Sequence, residues 1–410
     1  MPKSTLSRLG KLKKSKEIYL DYAAATPLND KVSLLMQKVY EENFANLSSI
    51  HSLGVNSKKI LEQAREDVAK ILEARPSEIT FTSGSTESNN LAIIGVLNAT
   101  KEKFPHIITT NIEHSSVLEI CKHLEKIKQA KIAYVEVEAS GIVNPKKIKQ
   151  ALRPDTVLVS VMYANSEIGA IQPLREIARE IRHYNKIHSK KIIFHTDATQ
   201  AINYLPIQVP KLGIDLMSMS SVKFYGPKGV GVLYVKKNTA IGKIMFGGNQ
   251  QFNLRSGSYN LPGIVGLAEA LKITEKLKNK EVIRLTKLQD YFIRKITSQT
   301  FTPLIINGGL INRLPNNINI TIPKIPSDLL VIELSARGIM TSAKSACKSG
   351  DGKASHVITA IRTAERGPNV GKEFSESLRF SLGRQTTKAN IDYTIRTLFK
   401  ILLKLKKWYN

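Results

Sequence analysis

Between residues 78 and 235, short apolar runs alternate with stretches of helical periodicity, and no other feature of this 410-residue chain narrows its fold as far. Residues 78–82 (EITFT), 106–110 (HIITT), 131–137, 156–162 (TVLVSVM), 191–195 (KIIFH), 216–220 and 230–235 (VGVLYV) read as strands. Each is short and apolar, as buried strands are. Between them, residues 88–97, 116–127 and 174–184 have helical spacing; Val117, Ile120, Cys121 and Leu124 share one face of the second. Strands joined by helical crossovers require a parallel or mostly parallel sheet covered by helices on both faces. No repeat of fixed period is present.

Beyond Gly263 the texture changes. Residues 265–280 and 283–297 read as two long helices, 317–322, 339–342 and 378–381 as strands, and 391–405 as an amphipathic helix. This pattern predicts a second, smaller α/β domain. The expected division is an N-terminal segment (1–28) joining the small domain, a large domain (29–263) and a small domain (264–410).

Charge and cysteine usage limit the function classes. The net charge is +27, but Lys is spread along the whole chain rather than gathered on one element beside aromatics, which speaks against a nucleic-acid site and against direct DNA binding. No apolar run approaches the roughly 18–20 residues that cross a bilayer, so no membrane association is expected. The two cysteines can form neither a disulfide framework nor a four-thiolate zinc site. A reducing compartment is implied, with the cytoplasm the expected location. Residues 1–17 carry six basic residues and one acidic residue and lack a secretory apolar core. They read as a solvated basic arm; an organelle matrix is the alternative if they are a transit sequence.

Four constellations carry chemistry. Thr82-Ser83-Gly84-Ser85-Thr86-Glu87-Ser88-Asn89 lies between a strand and a helix, where small residues and helix N–H groups make either an anion cup or ordinary helix capping. Asp197, in His195-Thr196-Asp197, stands at the carboxyl end of an apolar strand, where it can hold a cationic ring nitrogen or cap the next helix. The sequence offers no further ligands at metal spacing. Lys223 follows another apolar strand in a turn closed by Gly226 and Pro227. In a desolvated site such an amine loses its proton and forms an imine. Cys347 sits among small residues with a lysine on either side, a setting that exposes a thiol and lowers its pKa, whereas Cys121 belongs to an apolar stripe. A phosphate cup, a carboxylate and a lysine in one α/β scaffold are what pyridoxal phosphate requires.

The blocks SGSTESNN, EHSSV, NSEIG, HTDATQ, KFYGPKGVG, LRSGS and SACKSG occur in this order between Tyr19 and Arg384. In these the chain resembles the cysteine desulfurases of the NifS/IscS type. The resemblance implies the fold-type-I architecture of pyridoxal-phosphate-dependent transferases: a large domain with a mostly parallel seven-stranded sheet flanked by helices, plus a smaller α/β domain carrying the cysteine loop. It implies Lys223 as the Schiff-base lysine, Asp197 as the partner of the pyridinium nitrogen, and His114 stacked on the ring and assisting proton transfer. Asn165 and Gln200 would bond the ring's phenolic oxygen, with Asn165 also near the substrate. Thr86, Ser220 and the backbone near Ser85 would bind the phosphate, and Ser258 the phosphate of a partner subunit in a homodimer. Arg379 would hold the substrate carboxylate, and Cys347 would accept sulfur from L-cysteine as a persulfide, leaving alanine. The sulfur would pass to an iron–sulfur scaffold protein or a tRNA-thiolation acceptor.

Three positions depart from the family pattern. Val222 stands where a His usually precedes the Schiff-base lysine, Ser258 replaces Thr, and Asn46–His51 reads Asn-Leu-Ser-Ser-Ile-His in place of an Asn-Pro-Ser-Ser block.

Overall fold

The computed structural model describes residues 17–298, 303–343, 355–367 and 376–409. Its strands are β1 (Ile18–Tyr19), β2 (Ile79–Thr82), β3 (His106–Thr110), β4 (Lys131–Val135), β5 (Thr156–Ser160), β6 (Ile193–Asp197), β7 (Leu216–Ser220), β8 (Gly231–Val235), β9 (Ile305–Ile306), β10 (Asn317–Thr321), β11 (Ile339–Met340), β12 (Ser342–Ala343) and β13 (Leu378–Ser381). Seven of them form one sheet in the order β2-β8-β7-β6-β5-β3-β4. The neighbours from β7 through β6, β5 and β3 to β4 run parallel, and β8 is antiparallel to both β2 and β7.

Every residue of β2, β3, β5, β6 and β7 is buried. That follows from covering both faces, and it explains why these strands read as continuous apolar runs. On one face Leu91, Ile93 and Val96 of the helix Ser85–Ala99 pack with Val117, Ile120 and Cys121 of the helix Ser115–Lys126. Burial pushes the Cys121 thiol up to about 12, so this cysteine is packing and not a nucleophile. The helices Ser52–Leu72 and Leu174–His188, with the first turns of Leu261–Thr297, cover the other face.

A second apolar cluster joins Ile18 and Leu20 with Leu285, Phe292, Ile318, Phe380 and the helix Lys388–Tyr409. It surrounds the four-stranded sheet β12-β13-β10-β9. Two expectations are corrected here. The helices expected over 265–280 and 283–297 are one 37-residue helix, since no Gly or Pro stands between them to stop it. Its residues to Leu271 belong to the first cluster, and those from Leu285 to the second. The strand expected over 339–342 is two pieces, β11 pairing with β1 and β12 with β13. Among the described residues no helix is long and apolar enough to cross a membrane.

Candidate active site

The carboxyl ends of the parallel strands gather the residues singled out above. β6 ends on Asp197, β7 ends on Ser220 just before Lys223, β3 leads into His114, and β2 leads into the loop that opens the helix Ser85–Ala99. A cavity of about 300 Å³ lies over these ends; Ser85, Thr86, His114, Asp197, Gln200, Ser220, Lys223 and Arg379 line it. Val222 lines it too.

One glycine fixes the anion cup. Gly231 of β8 is the register partner of both Thr82 and Ser220, so it joins the loop after β2 to the end of β7. A Cβ on Gly231 would stand 2.6 Å from Gly84 Cα and 2.6 Å from Met219 O. Gly84 itself, at φ 152°, occupies backbone space that side chains rarely enter. It leaves the first-turn N–H groups of the helix facing the cavity end, where a helix has no partners of its own to offer them. Glu87 braces this loop: its Oε2 accepts from Ser83 N at 2.7 Å and its Oε1 from Arg255 Nε at 2.8 Å. Burial raises the Glu87 carboxyl, but Arg255 and the Ser83 bonds outweigh it and hold the group below its ordinary value.

Asp197 is buried, and its Oδ1 accepts from Thr199 N at 2.9 Å. Its Oδ2 accepts from Asn89 Nδ2 at 2.8 Å, and the same nitrogen donates to Ser116 Oγ at 2.8 Å. Ser116 Oγ lies 2.8 Å from His114 Nδ1, which also accepts from Ser116 N. Beneath Asp197, His195 sits between Ser160 Oγ and Ser218 Oγ, 2.8 and 3.0 Å away, and burial lowers its pKa to about 4 despite the Asp197 charge. Lys223 Nζ donates to Ala23 O at 2.9 Å and to Ala24 O; Gln200 Nε2 also donates to Ala23 O, at 2.9 Å. Arg379, 1% exposed, reaches Ser166 O at 3.0 Å and pairs with Asp21 Oδ1 at 2.7 Å.

Three expected residues are not on this wall. Asn165 is buried with its amide committed to backbone: it donates to Ile112 O and accepts from Glu167 N and Ile168 N, leaving Ala164 and Ser166 to line the cavity. Ser258 is exposed in a separate groove of about 390 Å³ with Tyr40 and Phe44. Cys347 lies outside the described residues. Asn89, Ser116, Glu113 and Asp21 join the site without a motif that marks them for it. The signal for Asn89 was a polar residue on the buried face of an apolar helix.

The donor set fits pyridoxal phosphate. An anion cup closed by two glycines stands at one end, a buried carboxylate and an imidazole lie along the floor, and an amine reaches in from the turn after β7. The Thr199 hydroxyl, on the same wall, is buried without a partner among the described residues.

Comparison with known proteins agrees with this geometry. The model of the class-V aminotransferase family matches residues 18–394. Cysteine desulfurase IscS of Dictyoglomus turgidum is 44% identical over 392 residues, covering 95% of this chain and 96% of its own. A solved NifS-like protein superposes with a TM-score of 0.86 at 34% identity, covering 95% of this chain and all of its own. A structure of SspA in complex with cysteine superposes with a TM-score of 0.75 at 34% identity, covering 89% of this chain and 98% of its own. Fold, cavity and relatives coincide, and the chain belongs to the class-V aminotransferases, among the cysteine desulfurases.

Proposed function

We propose that this chain removes sulfur from L-cysteine, releasing L-alanine, with pyridoxal 5'-phosphate as its resident cofactor and Cys347 as the sulfur acceptor. The observation that carries the reading is the convergence of Lys223, Asp197, His114 and Arg379 on one cavity beside a glycine-built anion cup. When bound, the cofactor supplies an electron-withdrawing ring that stabilises the charge left on the substrate's α-carbon.

The chain's own residues do the rest. Ser85, Thr86 and Ser220 would hold the phosphate, and Asp197, fixed by Asn89 and Thr199, would keep a ring nitrogen protonated. His114 and Gln200 line the same cavity, where His114 would stack on the ring and Gln200 would bond its oxygen. Arg379 orients the substrate by its carboxylate. Lys223 Nζ moves the α-proton. The Cys347 thiolate forms an S–S bond with the substrate's sulfur as the Cβ–S bond breaks; that electron pair stays on carbon, which is protonated to give alanine.

Both ends of the segment bearing Cys347 are tied to the cavity rim. Ser342, before it, pairs with Arg379. After it, Ser355 Oγ donates to Glu167 Oε2 at 2.5 Å, and His356 Nε2 donates to Glu113 O at 2.9 Å. Cys347 is four residues from Ala343, a length of chain that spans at most about 14 Å.

Two copies of the chain pair through the groove holding Ser258, where Tyr40 and Phe44 are 68% and 78% exposed, so that Ser258 meets the partner's phosphate. Sulfur then passes to an iron–sulfur scaffold or a tRNA-thiolation acceptor. The test is mass spectrometry after exposure to L-cysteine: Cys347 gains one sulfur and alanine appears in equal amount, and K223A gives neither. An unmodified Cys347 alongside active alanine release would overturn the assignment.

A further inference from the structure

The carboxylate-binding arginine already has a carboxylate. Arg379, on β13, is almost fully buried, and its counter-charge is Asp21, paired with its Nη2 at 2.7 Å. A guanidinium without an anion would be costly at such a position. The Nη1 group donates to Ser166 O, while Nε is buried and has no partner among the described residues. The guanidinium, which lines the cavity, is therefore already neutralised by the chain itself, while one of its N–H groups remains unsatisfied. The same N-terminal strap offers the Ala23 and Ala24 carbonyls to Lys223.

The strap does not depend on the ion pair for its place. Ser381 N donates to Leu20 O at 2.7 Å, Ala23 N donates to Ser381 Oγ at 2.9 Å, and Tyr19 Oη reaches Ala25 O at 2.8 Å. Asp21 is thus presented to Arg379 by a strand-like backbone, and its carboxylate is 18% exposed.

We propose that Asp21 tunes Arg379: its carboxylate is a resident counter-ion against which the α-carboxylate of L-cysteine, and of L-alanine on exit, must compete. Two anions on one guanidinium repel, so Asp21 weakens the hold on substrate and product alike. Uniform tightening would not speed the chemistry, and it would keep alanine in the site. The inference rests on Arg379 being the carboxylate-binding residue.

The test uses the full chain loaded with pyridoxal phosphate. In D21N, which keeps the hydrogen bond and removes the charge, three constants fall together, on the order of tenfold each. They are KM for L-cysteine, the inhibition constant of L-alanine, and that of 3-mercaptopropionate, which has the carboxylate and thiol but no amine. D21E, which restores the charge, returns them toward wild type. If Asp21 only shaped the pocket, the three constants would rise or stay unchanged in D21N, and that result overturns the proposal. Should D21N not fold, D21S carries the same test. A titration with 3-mercaptopropionate, followed by the Arg379 Nε–H resonance, reads the competition even if no sulfur is released. Failure of the desulfuration reading is thereby distinguished from failure of this one.

Discussion

Asn89 donates Nδ2 to Asp197 Oδ2 at 2.8 Å, and its second hydrogen on the same nitrogen goes to Ser116 Oγ. This links Asp197, Asn89, Ser116 and His114 in one chain. The Ser116 oxygen, which takes the Asn89 N–H, lies 2.8 Å from His114 Nδ1. His114 Nδ1 also accepts the Ser116 N–H, so the proton of the neutral imidazole sits on Nε2. The amide cannot be reversed, because Oδ1 would then face the Asp197 carboxylate. Asn89 thus fixes the direction of Asp197 and holds the Ser116 hydroxyl beside His114, whose tautomer the Ser116 backbone N–H sets.

Replacing Asn89 with Ala leaves Asp197 Oδ2 and Ser116 Oγ buried without their donor. Losing a hydrogen bond to a buried charged group costs about 1.5–3 kcal/mol. The expected outcome for N89A is a roughly 10- to 100-fold weaker affinity for pyridoxal phosphate, read by fluorescence titration of the cofactor-stripped chain. Wild-type affinity in N89A would remove Asn89 from the cofactor's support.

The strands and the cup were legible because burial on both faces writes itself as uninterrupted apolar runs, and because helix starts need small residues. The contacts from distant segments were not. Asp21 and Arg379 are 358 positions apart, and Asn89 and Asp197 are 108 apart; nothing local marks such pairs. Asn165 carries a contact that no motif shows: in this fold its Oδ1 accepts from the turn it sits in. The break at Thr341 was also hidden, since β11 and β12 differ in partner and not in local composition.

Glu113 gives the protein a pH-dependent stability. The carboxyl is fully buried; its Oε1 accepts from Thr110 Oγ1 at 2.7 Å and Met162 N at 2.9 Å, and its Oε2 has no partner among the described residues. Burial, foremost, and the Asp197 charge raise its pKa to about 8, so the folded group keeps a proton that the unfolded chain releases above the ordinary carboxylate value of 4.5. Its contribution is full below pH 4.5 and is lost as the pH rises to about 8. Gln mimics the protonated acid. The melting temperature of E113Q should match wild type near pH 5 and exceed it increasingly toward pH 8.5. A constant difference across that range would show that Glu113 does not titrate there.

Val222 lines the cavity at the position where the family resemblance implies a His. Its carbonyl accepts from Thr26 N and Thr26 Oγ1, both at 2.9 Å, so the backbone there is held independently of the side chain. V222H should add one hydrogen bond to the phosphate, worth about 1–2 kcal/mol, and slow cofactor loss on dialysis by roughly 5- to 30-fold. Unchanged retention would mean the phosphate is saturated by the cup alone.

Gly231 tests the cup from its back wall. A Cβ there meets only backbone, Gly84 Cα and Met219 O, and backbone in a paired strand cannot swing aside as a long side chain can. G231A must push the loop after β2 away from the end of β7, separating Thr86 from Ser220. Overpacking of this kind costs about 1–3 kcal/mol of stability. Cofactor affinity should fall further than stability does, because the cup's N–H groups and the Ser220 hydroxyl no longer converge on one phosphate. The comparison is between the melting temperature of the stripped chain and its titration with pyridoxal phosphate. Equal small losses in both would make Gly231 a packing residue with no part in shaping the anion site.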